Sequence, residues 1–231
     1  MRIGGLQKLT LLDYPGLVAC TVFLPGCNLR CPFCHNASLV LPDRMGPAGL
    51  TEEELLEFLQ NRRGKLDGVC VTGGEPTLHP ELPELLARIK DLGFRVKLDT
   101  NGSRPQALSQ LLRDGLPDYV AMDIKNSPRR YRETCGGVEV LEQVRQSAEL
   151  IMDSGIDYEF RTTAVSPLHT PADMEAIGIW LRGAKAYYIQ KFVDSGDLLS
   201  SGLSALTDGE MEALLHAVTP YIPNTRLRGV S

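Results

Sequence analysis

The sequence predicts an α/β fold, a partial (β/α)6 barrel open at one side, and three observations predict it. Apolar runs rich in β-branched residues recur at 17–24, 68–72, 95–99, 119–124, 158–163 and 187–192, the lengths expected of strands. Helical patterns fill the intervals, and six strands alternating with six helices imply βαβ units joined by right-handed crossovers. Runs such as Val69-Cys70-Val71-Thr72 and Tyr119-Val120-Ala121-Met122-Asp123-Ile124 are nearly continuous in apolar residues, as parallel strands covered by helices on their outer face are. A closed barrel of eight units needs about 250 residues; this chain has 231.

The elements follow in order. Residues 1–16 read as an extended lead-in to the first strand. Thr51 opens the first long helix, with three acids behind it (TEEELLEFLQNRR). That is a capping-box arrangement, and it also places negative charge at the positive end of the helix. Further helical patterns run about 81–92, 105–113, 138–154, 171–181 and 207–218, and residues 222–231 read as a tail packed on the barrel. No repeat, low-complexity tract or Pro/Gly-rich linker divides the chain, so one domain spanning 1–231 is expected.

Composition narrows the classes of function. With 43% hydrophobic and 23% charged residues the chain has the make-up of an ordinary globular protein and not of a disordered one. Its net charge is 24 − 29 = −5, without any block of like charge, which argues against nucleic acid as a main partner. The most apolar stretch, Leu17 to Leu24, is far short of the ~20 residues of a spanning helix, so no membrane role is expected. The start, MRIGGLQKLTLLD, lacks a secretory core and cleavage signal. A cytoplasmic protein is expected, and in a reducing compartment clustered cysteines point to metal or redox chemistry before disulfides.

Three of the six cysteines fall within eight residues, Cys27-Asn28-Leu29-Arg30-Cys31-Pro32-Phe33-Cys34, directly after the first predicted strand. Three soft thiolates from one loop select zinc, copper(I) or iron–sulfur. A structural zinc site closes with four ligands, and no fourth cysteine stands at a short spacing. His35 adjoins Cys34, so the two side chains diverge. One coordination position is thereby left for a substrate or cofactor. Three reduced cysteines packed in a loop, or a zinc site completed by a distant histidine such as His79, are the other readings. Cys20 and Cys70 lie within apolar strands and are expected to be inert core residues, and Cys135, in Thr-Cys-Gly-Gly, a loop thiol.

This CxxxCxxC loop, with an aromatic residue before its last cysteine, resembles that of the radical S-adenosylmethionine (radical SAM) superfamily, and Gly73-Gly74-Glu75-Pro76 is similar to its second motif. The resemblance covers essentially the whole chain. Within the superfamily, Cys34-His35-Asn36, Asp99-Thr100-Asn101-Gly102 and Asp123-Ile124-Lys125 are similar to glycyl-radical enzyme activases, and the opening GLQKLTLLDYPG to the activating proteins of anaerobic ribonucleotide reductase.

The resemblance implies a [4Fe–4S] cluster on Cys27, Cys31 and Cys34 whose free iron chelates S-adenosylmethionine. One electron would break the sulfur–carbon bond, and the resulting 5′-deoxyadenosyl radical would take a hydrogen atom from a glycine of a partner glycyl-radical enzyme. Cofactors carry such chemistry while the protein supplies position and electrostatics. Flavodoxin or ferredoxin is the implied electron donor.

It also implies roles for single residues. Gly73 and Gly74 end a strand where backbone approaches a ligand closely, and Glu75 pairs with the cofactor ammonium; alone, the motif is also an ordinary βα turn. Asp99 and Thr100, with Asp123, hold a monovalent cation or hydroxyls near the methionine carboxylate, and Lys125 meets that carboxylate. Asp123 and Lys125 flank Ile124, so both charges point to one side of the strand. Phe33 stacks by the adenine or fills the core. Arg161 has the same ambiguity. Gln190 stands where related activases carry a histidine, and the roles of Arg161, Gln190 and His35 stay open. The cysteine loop, GGEP, DTNG, DIK, Arg161 and Gln190 all fall at or near the C-terminal end of a predicted strand, the edge where α/β folds bind ligands. A pyruvate formate-lyase-type activase, a radical enzyme with a small-molecule substrate, and a zinc-binding interaction module are the alternatives.

Overall fold

The structure is a computed structural model that describes residues 1–34, 36–41, 49–194, 196 and 198–230. His35 lies outside the described residues, as does Ser231 at the end of the tail. The chain divides into two compact units. The first comprises Met1–Asn28, Ser38–Thr100 and Arg104–Ala121; the second comprises Leu29–Ala37, Asn101–Ser103 and Met122–Ser231.

In the first unit the chain forms β1 (Arg2–Ile3), β2 (Gly5–Thr10), β3 (Ala19–Leu24), the short α1 (Ala37–Val40), β4 (Leu50–Thr51), α2 (Glu52–Gln60), β5 (Gly68–Gly73), α3 (Leu82–Asp91), β6 (Arg95–Thr100) and α4 (Pro105–Arg113), then enters β7 (Tyr119–Asp123). β3 and β5 pair in parallel from Ala19↔Gly68 to Leu24↔Gly73, and β5 pairs in parallel with β6. Val22, Leu24, Val69, Val71, Val96 and Leu98 are fully buried, as are Leu55 and Leu59 of α2, Leu85 and Ile89 of α3 and, on the strands' other face, Cys70. This explains the near-continuous apolar strands. α2 begins where Thr51 and Glu54 cap each other: the Glu54 amide donates to Thr51 Oγ1 (3.1 Å) and the Thr51 amide to Glu54 Oε2 (2.8 Å).

The lead-in differs from expectation. Residues 5–10 are a strand, β2, paired antiparallel with β3, so the sheet is mixed. Gln7, Lys8 and Leu9 of β2 are exposed, and Gly-Leu-Gln-Lys-Leu carries neither the alternation nor the β-branched residues that mark a half-buried strand.

The second unit takes the end of β7, then α5 (Tyr131–Thr134), α6 (Leu141–Asp153), β8 (Asp157–Ala164), α7 (Pro171–Trp180), β9 (Tyr187–Lys191), α8 (Asp208–Val218) and β10 (Thr225–Arg228). β8 and β9 are parallel, Phe160 opposite Tyr187, and β9 and β10 are parallel, Thr225 opposite Tyr187. The expected tail is thus a strand. Its Thr-Arg-Leu-Arg sequence hides this because Arg228 points a charge inward, where it meets the buried Glu159 carboxylate through two bonds of 2.8 Å. Capping boxes start α7 (Thr170 with Asp173) and α8 (Thr207 with Glu210). No helix among the described residues is long and apolar enough to cross a membrane.

Candidate active site

In the first unit the strand β5 ends at the glycine pair. Gly73 has φ of +132°, and a Cβ on it would stand 2.2 Å from the Leu24 carbonyl oxygen; one on Gly74 would stand 1.9 Å from that of Gly26. The close approach demanded of these glycines is therefore to the chain's own backbone. The Gly74 amide donates to Leu24 and the Glu75 amide to Gly26, each at 2.8 Å, so the turn grips the strand exit that leads straight into Cys27. Glu75 is fully buried, and its Oε1 accepts from the Thr77 amide (3.1 Å), Thr77 Oγ1 (2.5 Å) and Thr100 Oγ1 (2.7 Å). It caps the short turn Pro76–Leu78 and ties it to the end of β6.

Asp99 pairs with Lys97, a lysine only 1% exposed, and Cys70 Sγ donates to the same carboxylate oxygen at 3.6 Å. A buried ammonium is costly unless paired, and the two-residue spacing sets both charges on one face of β6. Cys20 is a buried thiol that burial pushes up to about 12, which fits an inert core residue. Nε2 of His79 lies 2.8 Å from the Pro25 carbonyl oxygen. It must donate there, so only Nδ1 keeps a lone pair.

In the second unit, β7 and β8 end side by side: the Ile124 amide donates to the Arg161 carbonyl (2.7 Å) and Thr162 Oγ1 to that of Ile124 (2.6 Å). Asp123 stands between two cations, accepting from Lys125 Nζ at one oxygen and from Arg161 Nε at the other, both at 3.0 Å. Burial alone would push Asp123 up, but the Arg161 and Lys125 charges outweigh it and hold the carboxyl below its ordinary range. Lys125 is raised in turn, the Asp123 carboxylate outweighing burial. The three side chains together carry one net positive charge.

Cys31 is buried beside this group. Its thiol is lowered to about 7, first by a hydrogen bond from Cys135, with burial opposing and the Lys125 charge assisting. The Cys34 amide closes a turn onto the Cys31 carbonyl at 3.1 Å. Phe33 is buried and meets His169 edge-on, with ring centroids 5.9 Å apart. Nδ1 of His169 accepts from the Val165 amide (3.1 Å), which places the proton on Nε2, donating to the Lys125 carbonyl (2.8 Å). Gln190 lies half-buried in β9, in register between Thr163 and Arg228.

The first unit thus gathers Gly73, Gly74, Glu75 and Thr100, with Asp99 nearby in β6, and holds Cys27; the second gathers Cys31, Phe33, Asp123, Lys125 and Arg161, and holds Cys34 and Gln190. Among the described residues no three His, Cys, Asp or Glu side chains converge on one metal ion; a cubane, which takes one cysteine per iron, makes no such demand. A buried thiol lowered to about 7 is partly thiolate at neutral pH and suits an iron ligand. Lys97, His169 and the Cys31–Cys135 contact were not foreseen. A charged residue two places before Asp99 in an apolar strand was a readable signal for Lys97; His169 and Cys135 left none.

Residues 21–178 match the radical SAM superfamily. A Methanocaldococcus jannaschii protein with the provisional name of glycyl-radical enzyme activating enzyme is 32% identical over 99% of this chain and 96% of its own. The pyruvate formate-lyase-activating enzyme of Clostridium pasteurianum is 37% identical over 54% of this chain and 52% of its own, and the 7-carboxy-7-deazaguanine synthase of Methanopyrus kandleri 35% identical over 86% and 84%. Among solved structures, Streptococcus suis SuiB bound to its precursor peptide SuiA superposes with a TM-score of 0.70 at 16% identity, over 90% of this chain and 48% of that one, so this chain spans about half its length. A domain of pyruvate-formate lyase-activating enzyme from Bacteroides vulgatus gives 0.55 at 18%, over 70% and 99%. The structural likenesses show the fold. Together with the match over most of the chain and a relative aligned from end to end, they show that the protein belongs to the radical SAM superfamily and is a radical SAM enzyme.

Proposed function

We propose that the protein activates a glycyl-radical enzyme, with Cys27, Cys31 and Cys34 as ligands of the [4Fe–4S] cluster that the superfamily implies. The activase reading is carried by the similarity, over 99% of this chain, to a protein named as an activating enzyme, and its cofactor side by the cationic group beside the cysteine loop, where Asp123 engages both Lys125 and Arg161 and leaves one net positive charge next to Cys31. Such a group suits the carboxylate of an amino-acid-like ligand held at an iron next to that sulfur. When bound, the cluster and S-adenosylmethionine supply one-electron cleavage of a sulfur–carbon bond and a carbon radical.

The chain's own residues then bind and orient. Lys125 meets the methionine carboxylate, held in place by Asp123. Glu75, anchored by Thr77 and Thr100, receives the ammonium. Asp99, Thr100 and Asp123 are proposed to hold hydroxyls or a monovalent cation near the methionine carboxylate, and Phe33 and Gln190 to complete the cofactor contacts. The full-length similarity to a protein named as an activating enzyme favours a protein substrate, and we propose anaerobic ribonucleotide reductase as that partner, with flavodoxin or ferredoxin as electron donor. A second reading, a small-molecule substrate, rests on the similarity to a 7-carboxy-7-deazaguanine synthase.

Anaerobic incubation with a glycyl-radical enzyme, reductant and S-adenosylmethionine separates the two. A glycyl doublet by electron paramagnetic resonance, with deuterium passing from the partner's glycine into 5′-deoxyadenosine, is the expected result. Deuterium transfer from a small metabolite, with no response to any glycyl-radical partner, would move the protein to the second reading.

A further inference from the structure

Cys135 is distant in sequence from the cysteine loop, yet it is fixed against it. It is fully buried, and its carbonyl accepts from the Arg30 amide at 3.2 Å, in the loop between Cys27 and Cys31. The next residue, Gly136, has φ of +73°, and a Cβ there would stand 2.3 Å from the Arg30 carbonyl oxygen. Only glycine allows the two backbones to lie this close. From the other side the segment is held by α5: the Cys135 amide donates to the Tyr131 carbonyl (2.9 Å), and the Tyr131 hydroxyl accepts from the Lys125 amide (3.3 Å). The chain from Lys125 to Gly136 is thus a hook that starts at the cationic group and holds Cys135 against the cysteine loop, at the residue before Cys31.

We propose that Cys135 is a positioning residue, its thiol donating a hydrogen bond to the Cys31 sulfur and thereby setting the reduction potential of the cluster that Cys31 ligates. This rests on the proposed ligand role of Cys31. A ligating cysteine is a thiolate and cannot donate, so the shared proton belongs to Cys135. Hydrogen bonds to the sulfurs are among the determinants of cluster potential. A donor stabilises the more negative, reduced cluster and raises the potential.

The test compares wild type, Cys135→Ala and Cys135→Ser, each loaded anaerobically with iron and sulfide, by iron content and by the reduction midpoint without S-adenosylmethionine. Equal iron in all three, a midpoint shifted negative in Cys135→Ala, and one near wild type in Cys135→Ser, which keeps a donor, is the expected pattern. Full iron with an unshifted midpoint in Cys135→Ala overturns the proposal. Iron lost from both variants also overturns it, because Cys135 would then be a ligand. A wild-type protein that takes up no cluster overturns the reading of Cys31 as well.

Discussion

Asp123 has two cationic neighbours, whereas Lys125 has one carboxylate, so the three residues of this group are not equivalent to substitution. Lys125→Gln leaves Asp123 bound to Arg161 and should spare the fold. It removes the ammonium proposed to meet the cofactor carboxylate. Losing one charge-assisted contact costs roughly 1.5–3 kcal/mol, about ten- to a hundredfold in affinity. Calorimetric titration of the cluster-loaded variant with S-adenosylmethionine checks it, and wild-type affinity at full iron would refute the contact. Glu75 is a poorer choice for such a test: three donors share its Oε1, so its loss would unsettle the turn along with any ligand. The alternation Asp-Ile-Lys was enough to set Asp123 and Lys125 on one side of a strand. That Arg161 completes the group was not readable, because its partner lies on another strand.

At the scale of elements, the glycine turn makes a sharper prediction than any helix. Gly64 and Gly73 both have positive φ, +72° and +132°, but a Cβ on Gly64 would meet nothing within 4 Å while one on Gly73 would strike the Leu24 backbone. Gly64→Ala should cost about 1–2 kcal/mol, the strain of a left-handed conformation. Gly73→Ala adds a clash with backbone that cannot yield, and should be far more destabilising, with loss of iron because β5 then cannot hold the chain before Cys27. Similar urea midpoints for the two variants would contradict this account. The same distinction between local and distant partners decides what the sequence made legible. Capping boxes at Thr51, Thr170 and Thr207 are closed by residues three positions on, and the cysteine loop is contained in eight residues. β2 escaped because Gln7, Lys8 and Leu9 are exposed in a row and break the alternation, and β10 because the partner of its inward Arg228 is Glu159, on another strand.

Across the molecule, His169 and the carboxylates that folding perturbs define two windows of acid sensitivity. His169 is lowered by burial, its backbone hydrogen bonds opposing without prevailing, so the folded protein holds it neutral. Below about pH 6.5 the unfolded chain binds a proton there that the folded chain refuses. Stability from this source is complete above that pH and declines as pH falls through the lowered value. Carboxylates open the second window. Burial would raise Asp173, but hydrogen bonds from Thr170 and Ser127 hold it below its ordinary range, as Arg161 and Lys125 hold Asp123. Their contribution is complete above about pH 4 and is lost as pH falls through the depressed values. Urea unfolding followed from pH 8 to pH 3, on protein not yet loaded with cluster so that metal binding adds no proton release, should show both declines. His169→Gln offers its amide group to the Lys125 carbonyl in place of the imidazole, and cannot be protonated. It should lose some stability at pH 8 together with the Phe33 contact, yet remove its share of the decline between pH 7 and pH 5 while leaving the acid decline intact. If that variant falls as steeply as wild type over the upper window, the neutral, doubly bonded His169 is not what couples this fold to pH.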